Sequence, residues 1–275
     1  VDRSLFQLAD SLKQNLNSNN EHIKAASAVG LLRMKKHEIE AEKVLHDFLD
    51  VKDKHTTAVA LYYLQTSDDL LPNETLTNLL LYPSFEIREA ALKIAGNRQE
   101  LSLLPGIISN LKSSEPANFA RSSLAQFPAD EVIISLADSL SDDSISKSLE
   151  LGITRCLEDY PTKNTVRILQ TLLTRTNTEI MVTVARSLLQ IARSGNVPNE
   201  FLEPFLDEVK QVAKRFYELH LFHSTLSTQE NGMMIRDHLL YEQKKLIQVQ
   251  LRLSILHIPN TPIESYIQYV LNNNK

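Results

Sequence analysis

The chain has 275 residues and a net charge of −5, from 29 Lys and Arg against 34 Asp and Glu, so no broad electrostatic pull towards nucleic acid or anionic lipid is expected. Scarce glycine, six residues in all, and few β-branched runs argue against a sandwich or barrel, whose tight turns draw on glycine at positive φ. No apolar run reaches the roughly 18 residues a bilayer crossing takes, and no signal peptide is visible.

The single cysteine, Cys156, excludes an internal disulfide and fits a reducing compartment, so a cytoplasmic location is expected. Position 1 is Val and not Met, which suggests a domain of a longer protein, tethered to a membrane if at all through a missing N-terminal region. The sequon Asn73-Glu74-Thr75 would matter only in a secreted protein.

In chain order, the first helix is expected near 4–16. Ser4/Gln7 fits the capping box, in which each end satisfies an orphan amide of the other. Ser18/Glu21 opens the next helix, and Thr176/Glu179 and Thr261/Glu264 repeat the signal, with Pro262 at a first helical position. Helices of one kind are expected at 38–50, 72–82, 99–111, 129–140 and 162–174. Between them runs a second kind, clearest from Ser84 to Gly96, where Ile87, Ala90, Ala91, Ile94 and Ala95 keep one helical face apolar.

Steps of 32 from Ile23 reach His55, Ile87 and Phe119; the same steps link Ala26, Ala58, Ala90 and Ser122, and Leu31, Tyr63, Ala95 and Phe127. A small residue returning at one register is what close helix approach requires. The register reappears at Ile145/Ser148/Ile153 and at Ile180/Thr183/Leu188, after steps of 26 and 35. Each unit is thus expected to be an antiparallel helix pair. Beyond residue 196 the pattern changes to long helices at 198–224 and 231–257 and a short one at 262–273. These carry Leu202 to Phe222 and Leu239 to Leu256 at helical spacing and suit a cap on a stack of repeats.

Pro83 ahead of Arg88-Glu-Ala-Ala-Leu92 resembles the second helix of a HEAT repeat, a likeness that covers about residues 4–194. The resemblance implies an all-α fold: a right-handed α-α superhelix, or HEAT-like solenoid, of about six helix pairs, with 1–196 as the repeat array and 197–275 as its capping hairpin. The C-terminal run Leu239-Leu-Tyr-Glu-Gln-Lys-Lys, then Leu251-Arg-Leu-Ser-Ile-Leu and Ile263-Glu-Ser-Tyr-Ile-Gln-Tyr-Val, resembles the end of HEAT domains attached to bacterial nucleotide-exchange (ADP/ATP carrier-like) transporters. That implies a cytoplasmic regulatory or docking domain, with the transport residues elsewhere.

No catalytic constellation stands out, so no enzyme and no cofactor is expected. One His-Glu pair, His37-Glu38, cannot build the di-iron centre of a deoxyhypusine hydroxylase. The HEAT-like DNA glycosylases need a basic concave surface, and the row Lys24, Thr56, Arg88, Ala120, Ser146 and Met181 is too weakly charged for a phosphate track. Bilin lyases with HEAT-like repeats act mainly by holding a pigment, and no feature favours one. Glu218, His220 and His223, with Asp237-His238 on the next helix, hold metal-ligand residue types, although histidines on amphipathic helices are usually structural. Cys156 among apolar neighbours suits an inert buried thiol.

What remains is a non-catalytic interaction scaffold whose concave face takes another protein or a neighbouring domain of the same chain. Its groove candidates are Lys24, Arg88, Arg121 and Lys147, whose charge would favour an acidic segment.

Overall fold

Short polar side chains close the helix ends, and a computed structural model describing residues 3–50, 53–142, 144–174, 177–195, 211–212, 214–219 and 230–254 shows which ones. Asn20 caps the second helix by accepting the Ile23 N–H at 3.2 Å, and Ser18 shapes the turn before it by accepting the Asn20 N–H. Asp53 accepts from the His55 and Thr56 amides, Ser146 from Leu149, Thr162 from Thr165, and Asn177 from Glu179 and Ile180. Each answers an amide that a first turn leaves without a partner. The Ser18 box is therefore displaced onto Asn20, and Ser4 lies inside the first helix. Thr176, Thr261 and Pro262 lie outside the described residues.

Among the described residues the chain is all-α, without a strand. The helices are α1 (Arg3–Asn15), α2 (Glu21–Arg33), α3 (Glu38–Leu49), α4 (Lys54–Leu64), α5 (Asn73–Leu80), α6 (Phe85–Arg98), α7 (Leu104–Ile108), α8 (Ser114–Leu124), α9 (Ala129–Leu140), α10 (Lys147–Cys156), α11 (Lys163–Leu173), α12 (Thr178–Ser194) and α13 (Glu230–Ser254). Residues 214–219 are also helical. The element expected at 99–111 is the most broken. Pro105 and Gly106 leave only Leu104–Ile108 as α-helix, between 3-10 turns Leu101–Leu103 and Ser109–Lys112. Buried Asn110 mends the break by donating to the Leu80 and Gly106 carbonyls. Gly195 ends α12 at φ +69, the left-handed conformation that glycine takes without strain.

Two compact units share the chain, Val1–Ser135 and Leu136–Lys275. The boundary expected at 196/197 falls outside the described residues. In the first unit, α2, α4, α6 and α8 pack side by side, and the other helices form a second layer. There α1 rests on α2, α3 on α2 and α4, α5 on α6, and α7 on α8. Leu31, Leu61, Leu64, Ile94 and Leu124 are fully buried in this unit. Each contributes about 1.5–3 kcal/mol by leaving water. In the second unit α12 packs on α10, α11 and α13, and the face of α13 carrying Leu246, Val249 and Leu253 is fully buried. Of the C-terminal elements expected from spacing, 198–210, 220–229 and 255–275 lie outside the described residues.

The 32-residue register is visible in burial, but one residue along from the expected column. Ser27, Val59, Ala91 and Ser123 are all buried, whereas of the expected column only Ala90 is buried, Ser122 being exposed and Ala26 and Ala58 half-buried. Buried Thr154 and Ser187 extend the series by steps of 31 and 33, in place of the 26 and 35 that spacing suggests. Two members, one in each unit, make the same kind of hydrogen bond to the helix they pack against. The Ser123 hydroxyl donates to the Leu92 carbonyl of α6, and Ser187 to the Thr154 carbonyl of α10. These bonds satisfy buried hydroxyls and mark where backbones come close.

Candidate interaction surface

The open side of the α2, α4, α6, α8 row carries His22 and Ile23, His55 and Tyr62, Glu86 and Lys93, and Asn118 and Ser122, all exposed. Tyr62 is 63% exposed and Ile23 44%. On this side His55, His22, Tyr63 and Tyr62 form a run of rings. Successive centroids lie 6.3, 6.1 and 5.1 Å apart, each pair edge to face. Such geometry sets a ring's positive edge against the next ring's negative face. Glu21 closes one end, its carboxylate 3.5 Å from the His55 Nε2.

The cations singled out from the sequence do not line up along this face. Lys24 is half-buried, with its ammonium 5.7 Å from the Phe48 ring centroid of α3. Arg88 donates to the Tyr82 and Pro83 carbonyls at 2.7 and 2.8 Å and so fastens the turn between α5 and α6. Arg121 is half-buried on α8. Lys147 belongs to the second unit, where it pairs with Glu179 across α10 and α12. That contact raises the Lys147 ammonium above its usual value and lowers the Glu179 carboxyl. The one-residue offset in the buried column is the physical reason. It turns α2, α4, α6 and α8 by about 100° relative to the expected face, while at α10 and α12 the buried Thr154 and Ser187 stand further from the expected Ser148 and Thr183.

The remaining positions of the expected row divide in the same way. Thr56 is half-buried, Ala120 and Met181 are buried, and Ser146 is spent as the α10 cap. The ring run had a sequence signal that spacing alone does not interpret. His55 and Tyr63 are the residues that break two otherwise apolar columns, Ile23/His55/Ile87/Phe119 and Leu31/Tyr63/Ala95/Phe127.

Other chemistry-bearing groups are accounted for locally. Cys156 is buried. Among the described residues no three His, Cys, Asp or Glu side chains stand together as a metal site. His220 and His223 lie outside the described residues, while Glu218, Asp237 and His238 are exposed. His37 joins Lys13 and Glu40 in a bridge between α1 and α3, with Lys13 Nζ 3.1 Å from His37 Nδ1 and 3.2 Å from the Glu40 carboxylate. The Ser84 hydroxyl, ahead of the backbone amide, Lys54 and Arg88, holds the Glu86 carboxyl below its usual value. A polar cleft of about 480 Å³ lies at the end of α6, lined by Asp69, Asn73, Asn97, Arg98 and Glu100. Arg98 spans it by donating to Asn73, which in turn donates to Glu100.

Among the described residues no helix is long and apolar enough to cross a membrane. No family model matches the chain, and no curated protein matches it. Two crystal structures of engineered proteins align along most of its length. One is 15% identical, covering 90% of this chain and 97% of its own, with a TM-score of 0.30. The other is 14% identical, covering 89% and 98%, with a TM-score of 0.32.

Proposed function

We propose that this chain is a non-catalytic protein-interaction scaffold: a right-handed, HEAT-like α-α superhelix whose second-helix face takes a segment of another protein or of a neighbouring domain. The observation that carries it is the open side of the α2–α8 row. Two large side chains, Ile23 and Tyr62, stand exposed there beside His22 and His55, none of them needed by the core. Exposed aromatic and aliphatic groups on an otherwise polar face are the composition of a recognition surface. Parallel second helices also present evenly repeated rows of side chains, which suit an extended segment.

The test is capture of partners from native lysate by the intact chain and by two variants. Ala58→Glu/Ser122→Glu places charges on the second-helix face, and Ile39→Glu places one on α3, where Ile39 is 81% exposed. A partner retained by Ile39→Glu and lost by Ala58→Glu/Ser122→Glu, with unchanged melting of both variants, is the expected result. Retention by Ala58→Glu/Ser122→Glu would remove the second-helix face from the reading.

A further inference from the structure

Three rings of the first unit are already covered by a lysine of this chain. Lys36 stands 4.8 Å from the Phe6 centroid, Lys24 5.7 Å from Phe48, and Lys93 5.4 Å from Phe119. Tyr62 and Tyr63 instead meet each other edge to face, with centroids 5.1 Å apart. The Tyr62 ring at the end of the run is 63% exposed, and an aromatic ring face is negative. The cations nearest in sequence point elsewhere: Lys24 to Phe48, and Arg88 to two carbonyls beneath the face. Lys54 acts on Glu86 of the next helix. The charged group held against the run is therefore an acid, Glu21.

We propose that the run His55–His22–Tyr63–Tyr62 docks a lysine or arginine side chain of a partner polypeptide. The cation sits over the tyrosine rings, and the Glu21 carboxylate favours a second basic residue at the other end. This rests on the reading of the second-helix face as a binding surface and reverses the acidic partner that the sequence suggested. A carboxylate brought to the tyrosine end would meet negative ring faces, with the Glu21 carboxylate at the other end of the run. A cation gains from both. The chain makes the same contact internally at Phe6, Phe48 and Phe119, so the chemistry suits its surface.

The experiment titrates the intact chain into fluorescein-labelled twelve-residue peptides, one of alternating Arg and Gly and one of alternating Glu and Gly, read by anisotropy. The Arg peptide is expected to bind at least tenfold more tightly. An exposed cation–π contact corresponds to about 2–5-fold in affinity. Tyr62→Ala should therefore weaken binding by that factor, and Tyr62→Phe, which keeps the ring, should stay within twofold of the parent. Glu21→Gln should weaken binding and flatten its salt dependence. Equal binding of both peptides, no binding of the Arg peptide, or indifference to Tyr62→Ala overturns the proposal. Tighter binding of the Glu peptide, lost in Ala58→Glu, overturns it while leaving the reading of the face in place. Failure of both peptides, with lysate capture retained by Ala58→Glu/Ser122→Glu, overturns both.

Discussion

Asp53 shows how one residue fixes a helix start and what that implies for acid stability. Its carboxylate accepts the His55 and Thr56 amides at 3.3 and 3.1 Å, and those bonds, the Thr56 amide first, hold the carboxyl below its usual value. A carboxyl depressed in the folded state stabilises fully above its unfolded value and loses that contribution as pH falls through the folded one. Asp53→Asn keeps a side-chain acceptor at the cap but removes the charge. The melting-temperature gap between parent and Asp53→Asn is expected to be largest near neutral pH and to shrink below about pH 4. A gap independent of pH would show that the cap is not acting through its charge. Caps of this kind are partly legible in sequence. Ser18 was visible, yet Asn20 two residues on takes the amide, because several short polar side chains compete for one turn and only backbone geometry selects among them.

At the scale of the element, α6 and α8 approach closely. Gly96 faces Ser123 there, and a Cβ at Gly96 would stand 3.0 Å from the Ser123 Cα. That neighbour is main chain and cannot rotate away. Gly96→Val is therefore expected to cost about 1–3 kcal/mol by overpacking, despite the gain in helix propensity over glycine. A denaturant melt showing no loss would mean that the two helices separate easily. Element positions were largely legible: helices expected at 38–50, 129–140 and 162–174 appear at Glu38–Leu49, Ala129–Leu140 and Lys163–Leu173. Face orientation was less so. Ala26, Ala58, Ala90 and Ser122 have the composition of a contact column, but only Ala90 of them is buried, whereas their neighbours Ser27, Val59, Ala91 and Ser123 all are. Small residues suit both a contact and a half-exposed flank, so composition does not separate two adjacent registers. A one-residue offset is enough to set Lys24 against Phe48 and Arg88 against the Tyr82 and Pro83 carbonyls.

For the whole molecule, the all-α class was legible from scarce glycine and helical periodicity, because both act through local backbone preference. The candidate surface was not. His55 and Tyr63 were visible only as exceptions in apolar columns, and their partners His22 and Tyr62 come from the ring geometry. The central claim is that a partner lies along the second-helix face. Site-specific photo-crosslinking in native lysate tests it most directly, with benzophenone side chains placed singly at Ala58, Asn118 and Ser122 on that face and at Ile39 and Glu42 on α3. The account predicts one partner crosslinked from the first three positions and not from the last two. A partner crosslinked only from Ile39 and Glu42 would contradict it and move the interface to the first-helix layer.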